Sequence, residues 1–137
     1  MAQRTISEAQ GKRMLARLLR EYTTDPSVAL PTQVLTVVAA APGSAAIDWA
    51  AAEAAAPWVR DAWLVVKPYQ LIKRRGKGGL LALNVDWAGA RAWVEARMGT
   101  AVEVDGVAGT LATTFLVEPF VPHPQEDEYF LCTQLAK

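Results

Sequence analysis

One cysteine, one histidine and no surplus of charge are what this chain brings to chemistry. Cys132 has no partner for an internal disulfide, which fits a reducing compartment and gives the expectation of a cytosolic protein. With His123 and Cys132 alone, a zinc site of the usual ligand set is excluded. No nucleophile turn accompanies His123, so no Ser–His–Asp grouping is read. Set between Pro122 and Pro124, it reads as a loop residue rather than a general base or phosphoryl carrier. Fourteen Lys and Arg balance fourteen Asp and Glu, so no global field draws the chain onto nucleic acid or an anionic membrane. No apolar run is long enough to cross a bilayer. No Gly-Lys-Ser/Thr follows four spacer residues, so there is no Walker A loop. No internal repeat is visible.

What is present is one domain's worth of sequence or a piece of one. It has 137 residues, 52% of them hydrophobic, enough to bury a core. Residues 7–22 resemble an amphipathic transit peptide in their arginines and leucines, but Glu8 and Glu21 argue for a mature surface helix. Ser7 is placed to cap that helix, and Thr23 to Pro26 ends it. Gln33–Ala40 reads as a strand, Asp48–Ala55 as a helix stopped by Pro57, and Trp63–Lys67 and Leu80–Asn84 as strands. Asp86 caps a helix through Met98, closed by Gly99. Ala101–Val104 is a short strand before the Asp105-Gly106 turn signal. Thr113–Val121 and Glu128–Thr133 complete the strands. The order predicts an α/β or α+β layer architecture. A final strand with only four residues after it is an unprotected edge, so a fragment or half of a larger fold is expected. The tryptophans at 49, 58, 63, 87 and 93 are assigned to the core and helix faces.

Two stretches carry chemistry. In the first, an apolar strand ends in Lys67, and a basic loop from Lys73 to Lys77 follows. Glycine there lets the backbone approach an oxygen-rich group, and lysine and arginine supply the countercharge, which suits triphosphate. Lys67 and Arg75-Gly76 are the candidate phosphate ligands. The second is Phe115-Leu116-Val117-Glu118-Pro119-Phe120-Val121-Pro122-His123. The Pro119 carbonyl is suited to accept from an adenine amino group, and the Val121 N–H to donate to a ring nitrogen. Glu128 on the next segment suits ribose hydroxyls.

Both stretches, in this order and spacing, resemble the N-terminal end of ATP-citrate lyase. The resemblance runs through Ile6-Ser7-Glu8, Gly11-Lys12, Leu64-Val65-Val66-Lys67-Pro68, Gln70-Leu71-Ile72-Lys73-Arg74-Arg75-Gly76-Lys77 and the segment from Phe115 to His123. It is weakest over 24–56, which is longer and richer in alanine here. Tyr69 stands where an aspartate is usual. The resemblance implies the N-terminal portion of an ATP-grasp fold, related to the β subunit of succinyl-CoA synthetase, with 1–112 as a first subdomain and 113–137 as a hinge strand entering a second. It implies ATP at Lys67, Arg75, Gly76, Pro119, Val121 and Glu128. It also implies Mg2+, whose ligands fall outside this chain, and citrate and CoA bound by other parts of an oligomeric enzyme. The family's reaction makes acetyl-CoA and oxaloacetate through a phosphorylated histidine, which His123 does not match. No catalytic residue is assigned within this chain, and alone it is expected to have no lyase activity. The competing readings are a non-catalytic nucleotide or interaction module, and a small RNA-binding domain gripping phosphates through 73–77. Neither nucleic acid nor a membrane is expected as a partner.

Overall fold

Apolar residues fill both faces of Phe115-Leu116-Val117, so the strand that carries them belongs in the middle of a sheet with covered faces. The computed structural model, which describes residues 6–28, 30–41, 43–69, 79–104, 107–111 and 113–128, places it there. The strands are β1 (Leu35–Val38), β2 (Leu64–Pro68), β3 (Ala82–Val85), β4 (Ala101–Val104), β5 (Val107–Leu111) and β6 (Thr114–Pro119); the helices are α1 (Glu8–Tyr22), α2 (Trp49–Ala55) and α3 (Trp87–Glu95). One sheet runs β1-β6-β2-β3 with every neighbouring pair antiparallel, and β4 and β5 form a separate antiparallel pair. This is the mixed α+β arrangement expected from the order of elements.

Register sorts the side chains. Val66 lies opposite Val117, and Leu35 opposite the same residue on the far side. Leu64, Val66, Phe115 and Val117 are fully buried, in one cluster with Val59, Trp87, Ala90 and Val94 from the helical side. Trp93 meets the Phe115 ring edge-on, with centroids 5.8 Å apart. Residues one place along each strand face the other way: Val65, Lys67, Leu116 and Glu118 share the face that α1 covers. Leu116 is buried there, and Ala9 and Ala16 of α1 are buried too.

Local signals explain the element ends. Gln10 reaches back so that its side-chain oxygen accepts from the Ser7 N–H at 3.2 Å. Ser7 and Gln10 form a capping box at the start of α1, and the Ser7 hydroxyl also accepts from Tyr69. Asp48 caps α2 by accepting from Ala51 N at 2.9 Å, and a 3-10 turn over Pro57–Arg60 follows. Asp86 caps α3 by accepting from Gly89 N at 2.7 Å. Gly99 takes φ +76°, the left-handed closing turn its position predicts. Asp86→Ala is expected to lower stability by about 1 kcal/mol, the typical worth of a helix cap, read as a lower urea midpoint at unchanged slope.

Several expectations shift. β1 spans four residues instead of Gln33–Ala40, because only those face β6. Regular α3 stops at Glu95, three residues before Met98. The return strand β5 was not foreseen. Trp63 is 61% exposed instead of buried; its structural role is its carbonyl, which accepts from Phe120 N–H at 2.7 Å. Glu128 follows a 3-10 turn over Gln125–Asp127 and opens no strand; the rest of the strand expected through Thr133 lies outside the described residues.

Candidate functional site

The sheet leaves one stretch of β6 without a neighbour. Tyr69 N–H donates to the Thr114 carbonyl at 2.8 Å, and Phe120 N–H to the Trp63 carbonyl. Antiparallel bonding alternates, so the main-chain groups of residues 114, 116, 118 and 120 turn toward β2. Those of 115, 117, 119 and 121 turn toward β1. But β1 begins at Leu35, opposite Val117. The Pro119 carbonyl and the Val121 N–H therefore point past the end of β1, with no strand residue to meet them. They are two residues apart on one edge, an acceptor and a donor side by side. Proline suits the first position because its missing N–H leaves no donor unmet on an open edge.

This edge borders a hollow of about 280 Å³. Lys12, Gln33, Val65, Glu118, Pro119, Val121 and His123 are among its lining residues. Beneath it lies a ring of four charges. Lys67 bonds Glu8 and lies 2.7 Å from the second oxygen of Glu118. Lys12 bonds the first oxygen of Glu118 and lies 3.5 Å from Glu8. The ring is neutral, two lysines against two carboxylates. The Glu118 side chain is 6% exposed and that of Lys67 14%, so a charge left alone there is costly. Leu116 opposite Lys67 and Glu118 opposite Val65 put the Lys67 and Glu118 side chains diagonally on one face. α1 supplies Glu8 and Lys12, one helical turn apart, to the same place.

His123 ties the loop after β6 to its own far end. Its Nδ1 lies 2.8 Å from the Val121 carbonyl and its Nε2 3.0 Å from Glu128 Oε1. The Val121 carbonyl holds the imidazolium above its ordinary pKa, with Glu128 adding to the effect.

The six residues read from the sequence divide as follows. Pro119 and Val121 line the hollow. Lys67 is not on its wall; it reaches the hollow through Glu118. Glu128 is joined to Val121 through His123. Arg75 and Gly76, with the rest of the basic loop over 70–78, lie outside the described residues. Sequence reasoning missed Glu8, Lys12 and Gln33. The signal for the first two was a Glu–Lys pair at helical spacing in a segment otherwise read only for its amphipathic pattern. Glu118, a carboxylate inside an apolar strand, announced a buried cationic partner. Tyr69 gives its hydroxyl to Ser7 and so pins the start of α1 beside Lys67. Among the described residues no three His, Cys, Asp or Glu side chains group to hold a metal ion. Buried Glu118 and half-buried Glu8 are both paired with lysines.

A sheet flanked by helices on both faces, with a lysine on an inner strand and an open main-chain edge, is an α+β layer fold with a cleft at one sheet edge. The family model described as the ATP-citrate synthase ATP-grasp domain matches residues 2–137, and the chain belongs to that family. It is 41% identical over 150 aligned positions to the probable ATP-citrate synthase subunit 2 of Schizosaccharomyces pombe, covering 96% of this chain and 30% of that protein. It is 47% identical over 85 positions to ATP-citrate synthase of Bos taurus, covering 62% of this chain and 8% of that one. Among solved structures it resembles ATP citrate lyase from Methanothrix soehngenii in complex with citrate and coenzyme A, with TM-score 0.73 and 39% identity, over 90% of this chain and 27% of that one. The chain thus spans less than a third of the length of these relatives.

Proposed function

We propose that this chain supplies the nucleotide-holding part of an ATP-citrate lyase. The Pro119 carbonyl and Val121 N–H hold the adenine edge, Glu128 holds the ribose, and Lys67 meets the phosphates together with Arg75 and Gly76. The observation that carries this reading is the acceptor and donor at 119 and 121, left open where β1 stops short. Adenine offers an amino donor beside a ring acceptor, which is the complementary pair.

In the whole enzyme the chain's contribution is positioning and charge stabilisation of the transferred phosphoryl group. Magnesium would accompany ATP and neutralise its phosphates. The described residues form no magnesium site, and the role argued for this chain passes through none. Citrate and CoA would be held by parts of an oligomeric, cytosolic enzyme that this chain does not span, with acetyl-CoA released for lipid synthesis. The chain alone is expected to yield no acetyl-CoA from ATP, magnesium, citrate and CoA.

Lys67 must exchange a carboxylate for phosphate when ATP arrives. Lys67→Met is expected to weaken ATP binding by about ten- to a hundredfold, the worth of a hydrogen bond to a charged group, in calorimetry on the full chain. Because the substitution also disturbs the charge ring, protection of Lys67 against an amine-reactive reagent serves as the second measurement. ATP is expected to slow labelling of Lys67. Unchanged affinity in the variant, or labelling indifferent to ATP, overturns the assignment of Lys67.

A further inference from the structure

The loop after β6 holds an arrangement that the nucleotide reading does not use. His123 stands between an oxygen of each of the two sub-sites it would join. Its Nδ1 faces the Val121 carbonyl and its Nε2 faces a Glu128 carboxylate oxygen. A carbonyl and a carboxylate only accept. Both ring nitrogens must therefore carry hydrogen for both contacts to be bonds, which makes the ring an imidazolium. A neutral ring keeps one bond and sets a lone pair against an oxygen at the other.

We propose that His123 is the positioning residue of the nucleotide edge: as a cation it ties the Val121 peptide to the Glu128 carboxylate, and nucleotide affinity falls when the ring loses its proton. This rests on the adenine and ribose roles given above to Val121 and Glu128. Fixing the Val121 carbonyl fixes the peptide plane it belongs to, and with it the local chain course that aims the Val121 N–H. Fixing Glu128 Oε1 leaves Oε2, which has no bond among the described residues, to meet a ribose hydroxyl. The distance between base ligand and sugar ligand is thus set before ATP arrives, which lowers the ordering cost of binding.

The charges around the ring agree with this. Asp127 and Glu128 both favour the cation. Glu126 lies on the same short turn. Across the hollow, Lys12 and Glu118 line the wall that His123 shares, and they are paired with each other. Imidazole is the side chain whose ordinary pKa lies nearest neutrality, and His123 is the sole histidine of the chain. The sign follows from the raised proton affinity of the folded ring. The clamp is complete below the ordinary imidazole range, and it is lost as pH rises through the higher folded value.

The test is ATP affinity of the full chain, by calorimetry, for the parent protein, His123→Ala and His123→Gln at about pH 6 and about pH 8.5. Comparison at each pH cancels the titration of ATP itself. At the lower pH the parent is expected to bind roughly tenfold tighter than His123→Ala, the equivalent of one charge-assisted hydrogen bond. At the higher pH that ratio shrinks toward the one His123→Gln shows, since glutamine offers a neutral donor and no titration. His123 is the sole histidine, so its ring resonances report directly, and both ring nitrogens are expected to be protonated below the midpoint. A parent-to-alanine ratio near one at the lower pH, or one that ignores pH, overturns the clamp and leaves the nucleotide site standing. Failure of the parent to bind ATP at either pH overturns the nucleotide site and the clamp with it.

Discussion

Glu118→Ala is expected to remove about 3 kcal/mol of stability, enough to lower the thermal midpoint by roughly 10 °C in a chain of this size. Glu118 is the buried carboxylate that both Lys12 and Lys67 contact. Its loss leaves the mostly buried Lys67 ammonium with Glu8 alone, and removing one member of a buried pair typically costs about 3–5 kcal/mol. The lower end is chosen because the Lys12 side chain is 37% exposed and water takes over part of its solvation. Glu118→Gln keeps the shape and two hydrogen-bonding atoms, and is expected to cost clearly less. Urea unfolding of the three proteins checks the order. Equal midpoints for the parent and the alanine variant would show that the ring of charges is solvated.

Phe115→Ala is expected to be at least as damaging, by a separate route. Phe115 is fully buried, lies opposite Val37 in β1 and Pro68 in β2, and receives the edge of Trp93. Truncation removes the ring's burial and leaves a cavity bounded by a sheet on one side and α3 on the other, neither free to collapse. The expected cost is about 3–5 kcal/mol. Phe115→Leu refills most of the volume and should recover more than half of it. Near-ultraviolet circular dichroism adds a local readout, since Trp93 loses its aromatic neighbour.

Much of this architecture was written locally. Asp48 and Asp86 cap helices where their positions say they should, because a cap needs only a carboxylate and the backbone a few residues on. Gly99 closes its helix for the same local reason. β1 was over-extended because the Val-rich run cannot say how far its neighbour reaches; strand length belongs to the pair. β5 was missed because Val107–Leu111, with its central glycine, has little strand character until β4 lies beside it. The site shows the same division. Pro119 and Val121, singled out as a proline carbonyl and an N–H two residues on, both fall on the hollow. The partners of Lys67 were not legible, since Glu8 is fifty-nine residues away in sequence and meets it only when α1 lies across the sheet.

The four-charge ring under the hollow has one more consequence. With both of its lysines already matched by carboxylates, the ring itself offers little to chloride, sulfate or free phosphate, because such an ion must displace a glutamate to reach either ammonium. Under the nucleotide reading proposed above, a ligand anchored first by its flat heterocycle would bring its phosphates to the ring at high local concentration and force the exchange. On that reading the ring would pass over abundant small anions and yield only to a molecule that carries both ends.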